Sequence, residues 1–178
     1  MKKQRNIVLF LVKFFATYFI LFVLYSLYLQ KTQEKGDVFS CSPITTKVAE
    51  QTESVLSFFG YDAAHMQHEE EMSVKMLVNG HYTARVIEGC NSLSIIILFI
   101  SFIFAFPGSL KSTILFGLVG GLIIYGVNVL RIAFLTVMLY KYPDQQEFLH
   151  NLVFPAIIYG MTFLLWVLWV HKFSNYKK

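Results

Sequence analysis

The chain has 178 residues, of which 56% are hydrophobic, 17% aromatic and only 15% charged, and its formal net charge is +4. One domain's length at this apolar content excludes an ordinary soluble fold, because the hydrophobic residues come in long unbroken runs and not in stripes. The positive charge does not point to nucleic acid: Lys2, Lys3, Arg5, Lys172, Lys177 and Lys178 sit beside the apolar runs, where they act as topology signals.

The first predicted element is a span from about Ile7 to Leu29. It is too long for a signal-peptide core, and Gln30 to Lys35 offers no small-x-small cleavage site, so it is read as a retained helix. Val38-Phe39-Ser40-Cys41 has a faint lipoprotein-box character but lies beyond the apolar core, behind Lys35 and Asp37, and is set aside. Residues 30–89 are the only part with soluble-type patterning. Ile44 to Phe59 reads as an amphipathic helix with Val48, Val55, Leu56 and Phe59 on its apolar side. Met72 to Val78 and Tyr82 to Ile87 alternate around Asn79-Gly80, a hairpin signal.

Three further spans follow, at about Ser92 to Phe106, Thr113 to Tyr140 and Phe148 to Val170; the first of these is the weakest, and Pro107-Gly108-Ser109 breaks the chain behind it. The basic flanks, including Lys111, fall on one side against essentially Lys141 on the other. The expectation is therefore an all-α membrane protein, residues 1–178 forming one polytopic domain of about four transmembrane helices. Its termini are cytoplasmic, and a small helix-plus-hairpin insertion, residues 30–89, lies outside between spans one and two.

Cys90 falls where a strand ends and a span begins, so helix dipole and free N–H groups favour an anion there. Alone, a single cysteine reads as a small buried residue. Arg131 changes the weighing: it is a full charge within an uncharged span, costing about 2.5–3.5 kcal/mol if central. Asn128, three residues earlier on the same face, is placed to orient the guanidinium. Snorkelling to the headgroups is the structural alternative; stabilising a thiolate or an acyl-transfer oxyanion is the functional one. His150, at the outer start of the last span, supplies a neutral imidazole base or is an ordinary interfacial histidine. Nucleophile, proton carrier and electrostatic stabiliser thus occupy three helices that open to one side, which is what cysteine acyl chemistry requires.

Glu88-Gly89-Cys90-Asn91-Ser92, Asn128-Val129-Leu130-Arg131 and His150, in this order and helix placement, resemble the exosortase/archaeosortase family of membrane transpeptidases. The resemblance runs from about Gly80 to the C-terminus, and the length is similar to the short exosortase F type. It implies Cys90 as nucleophile, Arg131 as transition-state stabiliser and His150 as general acid and base. It also implies a bacterial inner-membrane enzyme whose partners are exported proteins tethered by a C-terminal motif, a span and a basic tail, with no cofactor. One departure is visible: the commoner family pattern is Cys-Ser-Gly, and here it is Cys90-Asn91-Ser92.

Other features rank lower. His65-Met66-Gln67-His68 before Glu69-Glu70-Glu71 has metal-site spacing if helical, but a polar acidic loop is more often merely solvated. His81 and Arg85 lie just before Cys90, and His171 lies at the cytoplasmic end. Two cysteines without CxxC exclude a zinc ribbon; a Cys41 to Cys90 bridge is open on spacing alone, and a nucleophilic Cys90 would forbid it. The competing readings are a non-enzymatic assembly or transporter subunit with a structural Arg131, and a membrane protease that only hydrolyses.

Overall fold

The computed structural model describes residues 2–35 and 39–173, apart from the side chains of residues 2, 3, 34, 35 and 150. Helix α1, Lys2–Thr32, carries no glycine or proline, and its rings stack at four-residue steps, Phe10 on Phe14 on Tyr18 on Phe22. None of its apolar stretch is buried within the protein. It leans on one neighbour: Phe10 meets Phe102 and Phe106, and the Tyr25 hydroxyl meets Asn91, so α1 runs antiparallel to the helix that follows Cys90.

Between these two helices the chain builds a compact layer. A short ribbon pairs β1, Glu34–Lys35, with β2, Phe39–Ser40. Helix α2, Pro43–Phe58, opens on a proline that lacks only a donor it would not use, and buries Thr45, Val48, Ala49, Thr52 and Leu56. That stripe matches the expected amphipathic face except at its end, where Phe58 and Phe59 point outward. Strands β3 (Ala63–Gln67), β4 (Ser73–Val78) and β5 (His81–Ile87) form an antiparallel sheet in that order. Asn79 and Gly80 both take positive φ, as a tight two-residue hairpin turn demands. The expected hairpin is therefore present, with one strand more than the pattern predicts. β3 takes up the segment read as a solvated loop, because Ala63, His65 and Gln67 face the interior while Ala64 and Met66 face out, a pattern weak in apolar residues.

Helix α3, Leu93–Ala105, stops at Pro107 and is shorter than the others. Helix α4, Leu110–Lys141, begins with Ser109 accepting from the Ser112 amide. The last helical run, Pro143–Phe173, contains α5 (Gln146–Phe148), a π-helical turn (Leu149–Val153), α6 (Phe154–Leu168) and a terminal π turn. Pro155 gives the first π turn its cause: it has no N–H for the carbonyl of Asn151. Among the described residues three helices are long and apolar enough to cross a membrane, Gln4–Thr32, Leu110–Lys141 and Pro143–Phe173; the second of the four expected spans is the shorter apolar helix Leu93–Ala105.

Two cores share α4. At its C-terminal half Val129, Ile132 and Ala133 pack with Val48 and Leu56 of α2 and with Val74, Met76 and Val86 of the sheet. At its other half Ile124 packs with Phe99 and Ile103 of α3 and with Ile158, Leu165 and Trp169 of the last run. Gly120 lets this second core close, since a Cβ there would fall within 2.6 Å of the buried Phe99 ring.

Candidate active site

The sheet sets the height of Cys90. At the hairpin tip Asn79 donates to the Tyr140 hydroxyl and His81 lies against the Tyr140 ring, near the end of α4. From there β5 descends along α4, six residue steps or about 20 Å of strand. It passes into a 3-10 turn, Glu88–Cys90, beside Asn128 and Arg131. An Arg131 some ten residues below the end of α4 would be out of reach of a cysteine at the helix's outer end; the strand removes the mismatch by carrying Cys90 down to it.

There the Arg131 guanidinium lies beside the Cys90 side chain, within electrostatic reach of it. The Phe154 ring of α6 lies 5.9 Å from the guanidinium carbon, a cation–π contact. Asn128 lies one turn earlier on the same face of α4. Its Nδ2 donates to the Cys90 carbonyl at 2.6 Å and so ties the turn to α4. Cys90 is half-buried, and both it and Cys41 are free thiols.

After Cys90 the chain must reverse into α3. Ser92 does this with φ +63°, the left-handed conformation that glycine adopts without strain. Its hydroxyl donates to the Asn91 carbonyl at 2.6 Å, while the Asn91 side chain caps the turn by accepting from the Leu93 amide. Asn91 is fully buried and also donates to the Tyr25 hydroxyl, bringing α1 to the site.

Beneath this turn lies a network that spacing along the chain does not reveal. The Glu88 carboxylate accepts from the Ser42 amide at 2.6 Å, the Ser42 hydroxyl at 2.8 Å and the Thr45 hydroxyl. Burial by itself raises its pKa, but the bonds from Ser42, Thr45 and Gln33 outweigh that and hold the carboxyl below the usual glutamate range. The anion therefore sits at the N-terminus of α2, where the helix dipole also favours it. Nearby, burial first and the Glu88 charge second push the Cys41 thiol upward, which suits a packing role. The signal that points to this network is Glu88 itself, one of few acids near an apolar run.

His150 is the remaining expected member. Its backbone belongs to the π turn Leu149–Val153, immediately before Phe154, and its side chain lies outside the described residues. The lower-ranked residues are engaged elsewhere. His65 pairs with Glu53 of α2, and His68 accepts from the Glu70 amide, so the two histidines belong to a strand and the bend after it and not to one helical face. Arg85 pairs with Glu71. Among the described residues no three metal-ligating side chains converge. His171 lies in the terminal π turn, at the far end of the helical run whose Phe154 contacts Arg131.

No curated protein and no solved structure matches this chain. The family model for transmembrane exosortases matches residues 7–170, from the first turns of α1 to the terminal π turn. That match takes in α1, the sheet layer and every residue of the Cys90 and Arg131 constellation, so the chain is a membrane protein belonging to the transmembrane exosortase family.

Proposed function

We propose that this protein is a membrane cysteine peptidase or transpeptidase that cuts exported proteins near their membrane-tethered C-termini. The observation that carries the reading is the Cys90 side chain beside the Arg131 guanidinium at the junction of β5, α3 and α4, where Asn128 ties the Cys90 turn to α4. His150 takes the Cys90 thiol proton, the resulting thiolate attacks the scissile carbonyl, and the oxyanion that forms is stabilised by the Arg131 guanidinium. Collapse breaks the C–N bond, and the leaving amine takes a proton from His150. A thioester on Cys90 remains. Water or an acceptor amine, deprotonated by His150, then attacks it and releases the thiol.

The length of α4 supports a site at the membrane surface. Leu110 and Arg131 are separated by 21 residues, about 32 Å of helix, which matches a hydrocarbon core of about 30 Å. The excess of basic residues at both termini and at Lys111 supports a cytoplasmic position for that end of the spans, and with it for both termini. Four spans follow if α3 completes its crossing with the flanking turns, and residues 30–89 with the Cys90 site face outward from a bacterial inner membrane.

The test is Cys90→Ala at unchanged protein level. Loss of defined C-terminal processing of membrane-tethered exported proteins is expected; unchanged processing overturns the reading. A purely structural Arg131 is separated in the same experiment, because its loss lowers the amount of folded protein, whereas a stabilising one leaves folded, inactive protein. Adding amine acceptors to a trapped Cys90 thioester distinguishes transfer from hydrolysis.

A further inference from the structure

We infer that the open edge of β5 is the docking strand for the substrate: an extended peptide adds beside it, parallel to β5, and is led along it to Cys90. This rests on the peptidase reading above and names how that site takes its substrate.

β5 is an outer strand, paired only with β4. Val78 and His81 flank the two-residue turn and therefore exchange both backbone bonds, so Val78, Met76 and Val74 of β4 face β5, opposite His81, Ala84 and Val86. Thr83 is the extra residue of the bulge between Met76 and Leu77. Past the bulge, Arg85 and Ile87 direct their N–H and C=O groups away from the sheet. Among the described residues no backbone bond from outside the sheet reaches residues 81–87.

The space beside this edge has a second wall. A cleft of about 610 Å³ separates His81, Tyr82 and Thr83 from Tyr140, Pro143 and Gln146. Both walls descend to the same place: β5 ends at the Cys90 turn, and the helical run from Gln146 leads through the π turn to Phe154, which contacts Arg131. From Thr83 to Cys90 the edge offers room for about six extended residues at about 3.3 Å each.

The occupant is one polypeptide strand and not the β5 edge of a second copy. The edge ends at the Cys90 turn, so the chain that lies along it is one that presents its own bond to that thiol, whereas a second sheet paired edge to edge would meet Pro143 and Gln146 across the cleft from His81 to Thr83. Direction follows from the tether. A chain anchored in the bilayer beyond the cut bond runs from the open cleft down toward Cys90, the direction of β5. Backbone bonding of this kind supplies affinity while only alternate side chains are read, which suits a short motif.

Proline at residue 85 removes an outward N–H without touching the β4 ladder. In cells expressing the full chain, new C-termini of envelope proteins are compared by mass spectrometry for wild type, Cys90→Ala, Arg85→Ala and Arg85→Pro. The termini lost in Cys90→Ala are expected to fall about tenfold or more in Arg85→Pro at equal protein level, and to persist in Arg85→Ala, which loses only the Glu71 pair. Arg85→Pro with full processing overturns strand addition and leaves the peptidase reading standing. Equal loss in Arg85→Ala also overturns it, because the side chain is then what binds. No change in Cys90→Ala overturns the peptidase reading itself, and loss of a dimer in Arg85→Pro assigns the edge to self-association. Should Arg85→Pro not accumulate, a photo-crosslinking phenylalanine analogue in place of Tyr82 in the Cys90→Ala chain is expected to capture those same client proteins; the analogue in place of Met66, on β3, is expected not to. Capture at Met66 alone overturns the assignment.

Discussion

Arg131 stands between the Cys90 side chain and the Phe154 ring. A lysine keeps the charge but has neither the planar fork nor the reach to serve both. Arg131→Lys is expected to lower processing by roughly 10²-fold while the protein still accumulates, as judged by C-terminal mass spectrometry beside a membrane immunoblot. Ser92 makes a different prediction. Its left-handed backbone costs a residue with a Cβ about 1 kcal/mol that glycine does not bear, against which stands one local hydroxyl bond. Ser92→Gly is therefore expected to retain processing and to shift the thermal midpoint by no more than a few degrees in either direction. For Glu88 the sign is fixed by its lowered pKa. A carboxyl held below its unfolded value contributes stability above about pH 4.3, and that contribution is lost as pH falls through the folded value. Thermal unfolding in detergent between pH 6 and pH 3 is expected to show an acid-dependent loss in the wild type that is flattened in Glu88→Gln, with a cost at pH 6 of about 2 kcal/mol for the charge-assisted bonds.

At the scale of elements, α3 and α4 pack through Gly117 and Gly120 against Ile103 and Phe99. Phe99 is fully buried and cannot swing away, so Gly120→Ala overpacks this contact. A loss of about 1–3 kcal/mol is expected, measured as unfolding in a detergent series, with Gly126→Ala, which meets open space, as the neutral comparison. The elements were unevenly legible in the residues. Long apolar runs declare α1, α4 and the last helix, and Asn79-Gly80 declares the turn, because each signal is local. β3 escaped because its inward positions are Ala63, His65 and Gln67, with no apolar alternation to see. Cys90, Asn128 and Arg131 stand out as chemistry placed where apolar residues are expected. Their mutual contact depends on how far β5 descends, and the Ser42, Thr45 and Glu88 cluster joins residues 43 or more positions apart. Neither relation is written in any short window.

For the whole molecule, the proposed orientation puts the Ser109 and His171 ends of the spans on one face and the Tyr140 to Gln146 turn on the other. Single cysteines introduced in a Cys41→Ala, Cys90→Ala chain at Ser109 and Gln145 test this in intact cells with a membrane-impermeant thiol reagent. Labelling at Gln145 and protection at Ser109 until lysis is the expected pattern, and the reverse pattern inverts the orientation. The two cores on α4 also predict the order of unfolding: the layer of α2 and the sheet holds water-facing polar bonds, so it is expected to exchange amide hydrogens before the helices packed around Phe99 and Trp169.

Because one unbroken helix carries both cores, the Cys90 thiol stands at a set elevation above whatever plane holds the Leu110 end. α4 is in this sense a ruler. Under the proposed function a tethered client is measured as well as recognised: the bond presented to Cys90 is the one whose distance from the client's own anchor equals the mark at Arg131. Lengthening a client's linker by two residues at a time should move the cut along the client, residue for residue, leaving its distance from the anchor constant.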